Sequence, residues 1–315
     1  MDNEKFVKPQ LSIELFYFKN WLVWIGLSLL AILVNILPFY FLLKLGRCIG
    51  ILSMYLERKR AKIAKRNLEL SFPKMSKDEI KQLVIENFKN TGIALIETGV
   101  AWFWPTWRLK NILLTKDVKE LKRLDNKKKG VLLCCVHSLN LEITARAFAI
   151  LGLSGYGVYR PNKNPVYEFI QYRGRTRNGN KLIHRTNLKQ MIRVLKKGNR
   201  LFYLPDQDYG HNQSVFVPFF EVKEACTTTG PSILIYATKC AIVLGSGFRN
   251  ADNRYEIIAD KSIEENYPKK NKINAAIYMN QYIEKIILRA PEQWMWIHKR
   301  YKSLPNKSLT NSRYQ

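Results

Sequence analysis

His137 has a carboxylate at a spacing that could do proton chemistry: His137-Ser138-Leu139-Asn140-Leu141-Glu142. The segment follows a short apolar run, Val131 to Val136, bounded by Gly130 and His137, which reads as a buried strand. Residues 139–151 then resume helical periodicity. In open α/β sheets ligands gather at the carboxyl ends of strands. An imidazole there can act as general base, and a carboxylate can fix its tautomer and stabilise the imidazolium. Spacing limits how the two meet. On one continuous helix five residues turn about 500°, leaving them roughly 140° apart. They pair only if His137 precedes the helix and folds back over its first turns. A chance His–Glu spacing at a strand end is the competing reading.

Two more clusters stand just past apolar runs. In Tyr159-Arg160-Pro161-Asn162, Arg160 could bind an anion or a carbonyl oxygen at the same sheet edge. In Pro205-Asp206-Gln207-Asp208-Tyr209-Gly210, two carboxylates near a turn suit a metal, a substrate hydroxyl, or Asx-turn structure. Metal is disfavoured, because no His or Cys joins them and no EF-hand pattern is present. Arg173, Arg175, Arg177, Lys181 and Arg185 form a basic arm suited to phosphate, or else a solvated basic loop. Ser138 is the rival nucleophile, without a convincing triad context.

These residues need strands to carry them. Beyond Val131–Val136, the runs Gly155–Tyr159, Leu201–Leu204, Ala241–Phe248 and Tyr255–Ala259 read as short strands. Residues 117–129, 187–197 and 273–289 read as helices between them, and Ser76-Lys77-Asp78-Glu79 as a capping box opening a helix toward Thr91. Alternating strands and helices predict an α/β layer fold. Trp102-Phe103-Trp104-Pro105-Thr106-Trp107 reads as core packing by default. The tail after Leu304 is polar and expected to fray.

From Trp21 to Leu43 there are 23 residues without a formal charge. As a helix they would cover roughly 34 Å, enough for a bilayer core of about 30 Å. Asn35 and Pro38 interrupt the run, so a kink or re-entrant end is open. Residues 1–20 carry Lys5, Lys8 and Lys19 against Asp2, Glu4 and Glu14, whereas residues 44–66 carry eight lysines and arginines against Glu57 alone. That asymmetry predicts residues 44–315 on the cytoplasmic side. Residues 44–71 alternate apolar and basic residues at helical spacing, as a helix lying on phosphate headgroups would. Five cysteines without metal-ligand spacing fit a reducing compartment. The 315 residues hold 52 Lys+Arg against 25 Asp+Glu, a net charge of +27 that favours anionic partners.

The whole set resembles the lipid A late acyltransferases, on the Kdo2-lipid IV(A) lauroyltransferase branch. Their His-x4-Asp/Glu motif matches His137 and Glu142. The resemblance runs through Arg66-Asn67-Leu68-Glu69-Leu70-Ser71-Phe72-Pro73, Glu97 to Pro105, Val158 to Asn162 and Tyr203 to Gly210. It continues in Ser214 to Pro218, Thr227-Thr228-Thr229-Gly230 and Ala290-Pro291-Glu292-Gln293-Trp294-Met295-Trp296. One departure is a proline usual near Val243-Leu244-Gly245-Ser246 and missing here, which bears on the shape of the acyl or acceptor pocket.

The resemblance implies an αβα-layered, glycerolipid-acyltransferase-like domain over residues 111–305. Before it come an N-terminal tail (1–20), one transmembrane helix (21–43) and a basic, aromatic membrane-associated region (44–110); a tail (306–315) follows. It implies an inner-membrane enzyme that moves an acyl chain, lauroyl by its branch, from acyl carrier protein to a hydroxyacyl chain of a lipid A precursor. No metal or other cofactor is implied. His137 would be the general base, oriented by Glu142, and Arg160 or backbone N–H groups would stabilise the oxyanion. Arg160, Asp206, Asp208, Arg173 and Arg175 would bind substrate. Acidic carrier protein, phosphorylated acceptor and anionic inner membrane all suit the +27 charge. Transfer of another chain (myristoyl, palmitoleoyl) or acylation of another lysolipid are the alternatives within the enzyme class. A membrane-tethered basic binder is the alternative outside it. Nucleic acid is not expected as a partner, because no zinc finger, RRM or KH signature is present and the basic residues crowd beside the apolar run.

Overall fold

Leu37 and Pro38 split the long apolar run. The computed structural model describes residues 8–315; Asp2, Glu4 and Lys5 of the N-terminal flank lie outside them. Pro38 lacks an N–H and disfavours helical backbone before it, and Leu37 is extended (φ −77°, ψ 142°). The expected single helix over 21–43 is therefore two: α1 (Trp21–Ile36) and α2 (Phe39–Leu56). Residues Phe18–Ile36 and Phe39–Leu56 are each long and apolar enough to cross a bilayer by length and composition. Their surroundings differ. α1 leaves Leu22, Ile25, Leu29, Ile32 and Ile36 exposed along one side. α2 is pressed backbone to backbone on a later helix: a Cβ at Gly50 would stand 2.0 Å from the Phe88 carbonyl oxygen, and one at Gly92 2.1 Å from that of Gly46. Small residues four apart permit such an approach.

Glu57 separates α2 from α3 (Arg58–Ser71), so the basic helix expected over 44–71 is also divided. α4 (Lys77–Phe103) opens on the capping box read from Ser76 and Glu79, with both reciprocal hydrogen bonds present. It runs well past Thr91, until Trp104 and Pro105 end it. The short α5 (Thr106–Lys110) leads into the layered part.

There the elements alternate: β1 (Leu113–Asp117), α6 (Lys119–Asn126), β2 (Val131–Cys134), α7 (Leu141–Ile150), β3 (Tyr156–Tyr159) and α8 (Pro165–Thr176). Then come β4 (Lys181–His184), α9 (Leu188–Lys196) and β5 (Arg200–Tyr203). A hairpin of β6 (Ser214–Phe219) and β7 (Val222–Thr228) precedes α10 (Gly230–Thr238), β8 (Ala241–Arg249), β9 (Tyr255–Ala259) and α11 (Lys272–Ile287). The seven-stranded sheet has the order β1-β9-β8-β2-β5-β3-β4, parallel except where β8 meets β9. Strand residues alternate between two cores. Leu132, Cys134, Ile242 and Leu244 face α9, α10 and α11, while Val131, Leu133, Ala241 and Val243 face α4, α6 and α7. The α/β layering read from the sequence is present. β8, the strand without the proline, pairs with β2 over Ala241–Leu244 and with β9 over Gly245–Arg249. A proline there would delete a ladder donor.

The C-terminal tail is docked rather than frayed. Tyr314 Oη donates to Asn67 Oδ1 and accepts from the Tyr301 N–H at 2.8 Å, while Arg66 Nε donates to the Arg313 carbonyl at 2.8 Å. Arg66 and Asn67 of α3, with the Tyr301 N–H, thus hold a segment whose composition alone suggests disorder.

Candidate active site

β2 and β5 are parallel neighbours in register, Cys134 opposite Tyr203. The chain leaving each therefore emerges at the same sheet edge, His137 after β2 and Asp206 after β5. One carboxylate clamps the histidine twice. Asp206 Oδ2 accepts from the His137 backbone N–H at 2.7 Å, and Asp206 Oδ1 lies 2.7 Å from His137 Nδ1. Trp294 Nε1 donates to Oδ2 at 2.7 Å. Asp206 is fully buried, yet its carboxyl stays below the ordinary range: burial pushes it up, and the His137 charge, the His137 hydrogen bonds and the Trp294 N–H together outweigh that. An ionised carboxylate only accepts, so in the neutral imidazole Nδ1 carries the proton and Nε2 is the free nitrogen. The His137 side chain is 25 % exposed, open to a substrate.

The backbone around His137 is braced from the C-terminal side. Ser138 bridges Trp294, with the Leu139 N–H on the Gln293 carbonyl at 2.7 Å and the Met295 N–H on the His137 carbonyl at 3.1 Å. Gln293 uses both ends of its amide on the Arg249 backbone, at 2.9 Å each. Asn87 Nδ2 donates to the Glu292 and Trp294 carbonyls, and Asn67 Nδ2 to those of Trp296 and His298. These partners explain why Asn67, Asn87 and Gln293 are buried polar residues.

Glu142 sits in the first turn of α7 and has other partners. It accepts from Arg175 Nε at 2.9 Å, from Arg175 Nη2 at 2.5 Å and from Trp102 Nε1 at 2.9 Å. The hydrogen bond expected between His137 and Glu142 is thus made by Asp206 instead. The helix geometry explains it: Glu142 turns toward α8 and α4, and the neighbouring strand offers the histidine a nearer carboxylate. Arg175, expected at substrate, is spent on Glu142.

The remaining sequence candidates scatter. Asp208 holds the chain after α11, accepting from the Ser303 N–H at 2.8 Å, Ser303 Oγ at 3.0 Å and the Gly210 N–H at 2.9 Å. Arg160 is exposed past β3, on a loop fixed by Glu168, which accepts from Tyr159 Oη and the Asn162 N–H. Arg173 is exposed over the Phe169 ring, and Arg177 donates to the Trp102 carbonyl. The basic arm is therefore not one surface. Ser138 is 3 % exposed, and its Oγ has no hydrogen-bond partner, hence no base to activate it. Burial, with Asp206 nearby, pushes the Cys135 thiol up to about 12, so it stays protonated.

A histidine held by a buried aspartate at the carboxyl edge of a mostly parallel sheet is the arrangement of an α/β protein with a group able to move a proton during group transfer. The family model described as bacterial lipid A biosynthesis acyltransferase matches residues 8–303. The lipid A biosynthesis lauroyltransferase of Escherichia coli (strain K12) is 40% identical over 298 residues, covering 94% of this chain and 96% of its own. The palmitoleoyltransferase of the same strain is 39% identical over 303 residues, covering 95% and 97%. The myristoyltransferase of that strain is 25% identical over 311 residues, covering 96% and 93%. The chain belongs to the bacterial lipid A biosynthesis acyltransferase family, and it is an acyltransferase of lipid A biosynthesis.

Proposed function

We propose that this enzyme transfers a lauroyl chain from acyl carrier protein to a hydroxyacyl group of a Kdo2-lipid IV(A)-type precursor. The observation that carries the mechanism is the double clamp of Asp206 on His137, which fixes the neutral ring as the Nδ1–H tautomer with Nε2 as its free, reachable nitrogen. Nε2 removes the acceptor hydroxyl proton as that oxygen attacks the thioester carbonyl. The new C–O bond forms, the C–S bond breaks, and His137 returns the proton to the departing thiolate. Asp206 compensates the transient imidazolium charge. No acyl-enzyme is needed, and the buried, unpartnered Ser138 hydroxyl supports direct transfer.

Glu142 acts at one remove. It fastens the start of α7 to α8 through Arg175 and to α4 through Trp102, and so fixes the loop that carries His137. Arg160, exposed one strand beyond the Asp206 loop, is placed to meet donor or oxyanion. The exposed apolar side of α1 supports insertion of residues 18–36 in the inner membrane, with the cationic stretch after it on the cytoplasmic side, where carrier protein is found. α2, packed on α4, stays with the catalytic body.

The test is acyl transfer from purified lauroyl carrier protein to the tetraacylated precursor by full-length protein in detergent, with mass spectrometry of the product. A mass increment of one lauroyl group supports the reading. A palmitoleoyl increment from a mixed donor pool would reassign the donor, and no transfer from any acyl carrier protein would end it.

A further inference from the structure

Past Trp294 the chain runs His298-Lys299-Arg300-Tyr301-Lys302. Its cations are used unequally. Arg300 is fully buried and donates to the Cys226 carbonyl at 2.7 Å. Lys299 is spent on the C-terminal tail, 3.2 Å from Asn311 Oδ1 and over the Tyr314 ring. Among the described residues, no acidic side chain pairs with Lys302. Arg60 joins from α3, its Nη1 3.2 Å from the Ile297 carbonyl, one residue before His298. It is exposed, at helical spacing from the buried Ala64, Asn67 and Ser71 of α3. Asn67 donates to the His298 carbonyl at 2.7 Å. Among the described residues Arg60 too has no carboxylate partner.

This group borders the catalytic histidine. The Met295 N–H binds the His137 carbonyl, and the His298 N–H binds the Met295 carbonyl at 3.4 Å. The half-buried His298 imidazole is held below its usual range, by burial first, then by Lys302, by His137 whenever its ring is protonated, and by Arg60. Asp208 is the one carboxylate acting the other way, and its oxygens are taken by Ser303 and Gly210. The field there is positive and unneutralised, beside the place where acyl transfer occurs.

We propose that Arg60, His298 and Lys302 form a phosphate-binding subsite beside His137, filled by a phosphate ester of one of the two substrates. Three donors of different shape suit that group: a guanidinium fork, a point-charge ammonium, and an imidazole that takes up a proton when a dianion arrives. Both substrates of the proposed reaction carry such an ester, the glycosyl phosphates of the acceptor and the phosphodiester of the carrier's prosthetic arm. The subsite rests on the reading of His137 as the reacting base, and it assigns α3 a part in substrate binding.

Two measurements test it. First, inorganic phosphate is titrated into the purified full-length chain with labelled histidines, at constant ionic strength. The His298 ring should bind protons at higher pH in phosphate than in chloride, and Lys302→Gln or Arg60→Gln should remove that response. No difference between phosphate and chloride in the unsubstituted protein would overturn the subsite, whether or not the protein turns over. Second, KM is measured for Lys302→Gln and Arg60→Gln with four substrates: phosphorylated and dephosphorylated acceptor, and acyl carrier protein and the phosphate-free acyl-N-acetylcysteamine thioester. Each cation removed should raise KM by about tenfold for whichever substrate supplies the phosphate. The penalty should vanish for its phosphate-free form, with kcat little changed. A penalty tied to the acceptor phosphate assigns the glycolipid, and one tied to the carrier protein assigns the prosthetic arm. Equal KM effects with and without phosphate would overturn the subsite while leaving the transfer reaction standing. Absence of transfer by the unsubstituted enzyme, with the histidine response intact, would instead count against the reaction.

Discussion

Asp206 grips His137 by both ring and backbone, with one carboxylate oxygen for each. The arrangement makes Asp206→Asn informative. An amide presents one oxygen and one NH2. The two donors at Oδ2, from the His137 backbone and Trp294, require the oxygen there, which turns the NH2 toward Nδ1. Nδ1 must then accept, and Nε2 carries the proton. The variant should keep its fold, show the reversed tautomer in ring nitrogen resonances, and lose about 10²–10⁴ of its turnover. Normal turnover with the tautomer reversed would remove Nε2 from the mechanism.

His137→Ala should abolish most transfer, by about 10²–10⁴-fold. Ser138→Ala should be mild, because its hydroxyl is buried without a partner. The assay is acyl transfer with membrane levels of the variants matched. A dead Ser138→Ala beside an active His137→Ala would replace direct transfer with a serine acyl-enzyme.

Glu142 and Arg175 form a largely enclosed ion pair. Removing either alone leaves the other charge without its partner, so Glu142→Ala and Arg175→Ala should each cost roughly 2–3 kcal/mol of stability. The double variant should cost clearly less than the sum, as a double-mutant cycle on denaturant midpoints would show. Glu142→Gln keeps a Trp102 acceptor and should retain more activity than Glu142→Ala. Additive costs would mean the two side chains act independently.

These residues also mark what the sequence makes legible. Val131–Cys134 is readable because its uninterrupted apolar run is the kind a sheet buries on both faces, and Tyr255–Ala259 because Glu256 alone interrupts its apolar residues. The edge strand Lys181–His184 is not, since its apolar run is only Leu182 and Ile183, between Lys181 and His184. His137 is legible from its place at a strand end. Its partner is not, because pairing with Asp206 depends on β2 and β5 being neighbours, a fact of strand order that local spacing cannot carry. Glu142, five residues away, is the nearest carboxylate along the chain, but Asp206 is the one that meets the ring. The asparagines that brace the Gln293–His298 segment were equally hidden, for their partners are main-chain carbonyls some 200 residues distant.

Acid should loosen the Asp206 clamp. The Asp206 carboxyl in the folded protein lies below its ordinary 3.8, so it binds protons less readily than in the unfolded chain. Its contribution is therefore fully present above about pH 4 and is lost as pH falls through the folded value. Thermal midpoints of the native protein and Asp206→Asn should differ most near neutrality, and the gap should shrink as pH falls below about 4. A gap that did not shrink at all as the pH was lowered would show that the carboxylate charge contributes nothing to stability.

The contact of α2 with α4 allows a sharper test, because glycines in two neighbouring apolar helices face opposite surroundings. A Cβ at Gly50 would meet the Phe88 carbonyl oxygen at 2.0 Å, with backbone on both sides and no flexible side chain to yield. A Cβ at Gly26 in α1 would meet nothing within 4 Å. Gly50→Ala must push the helices apart, and it should cost at least the roughly 1–3 kcal/mol typical of overpacking. Gly26→Ala adds helix propensity in open space and should be neutral or stabilising by up to about 1 kcal/mol. Thermal inactivation of the two variants in the same detergent reads the difference directly. Equal tolerance at both positions would mean that α2 is not held on α4 in the working enzyme and leaves with α1 into the bilayer.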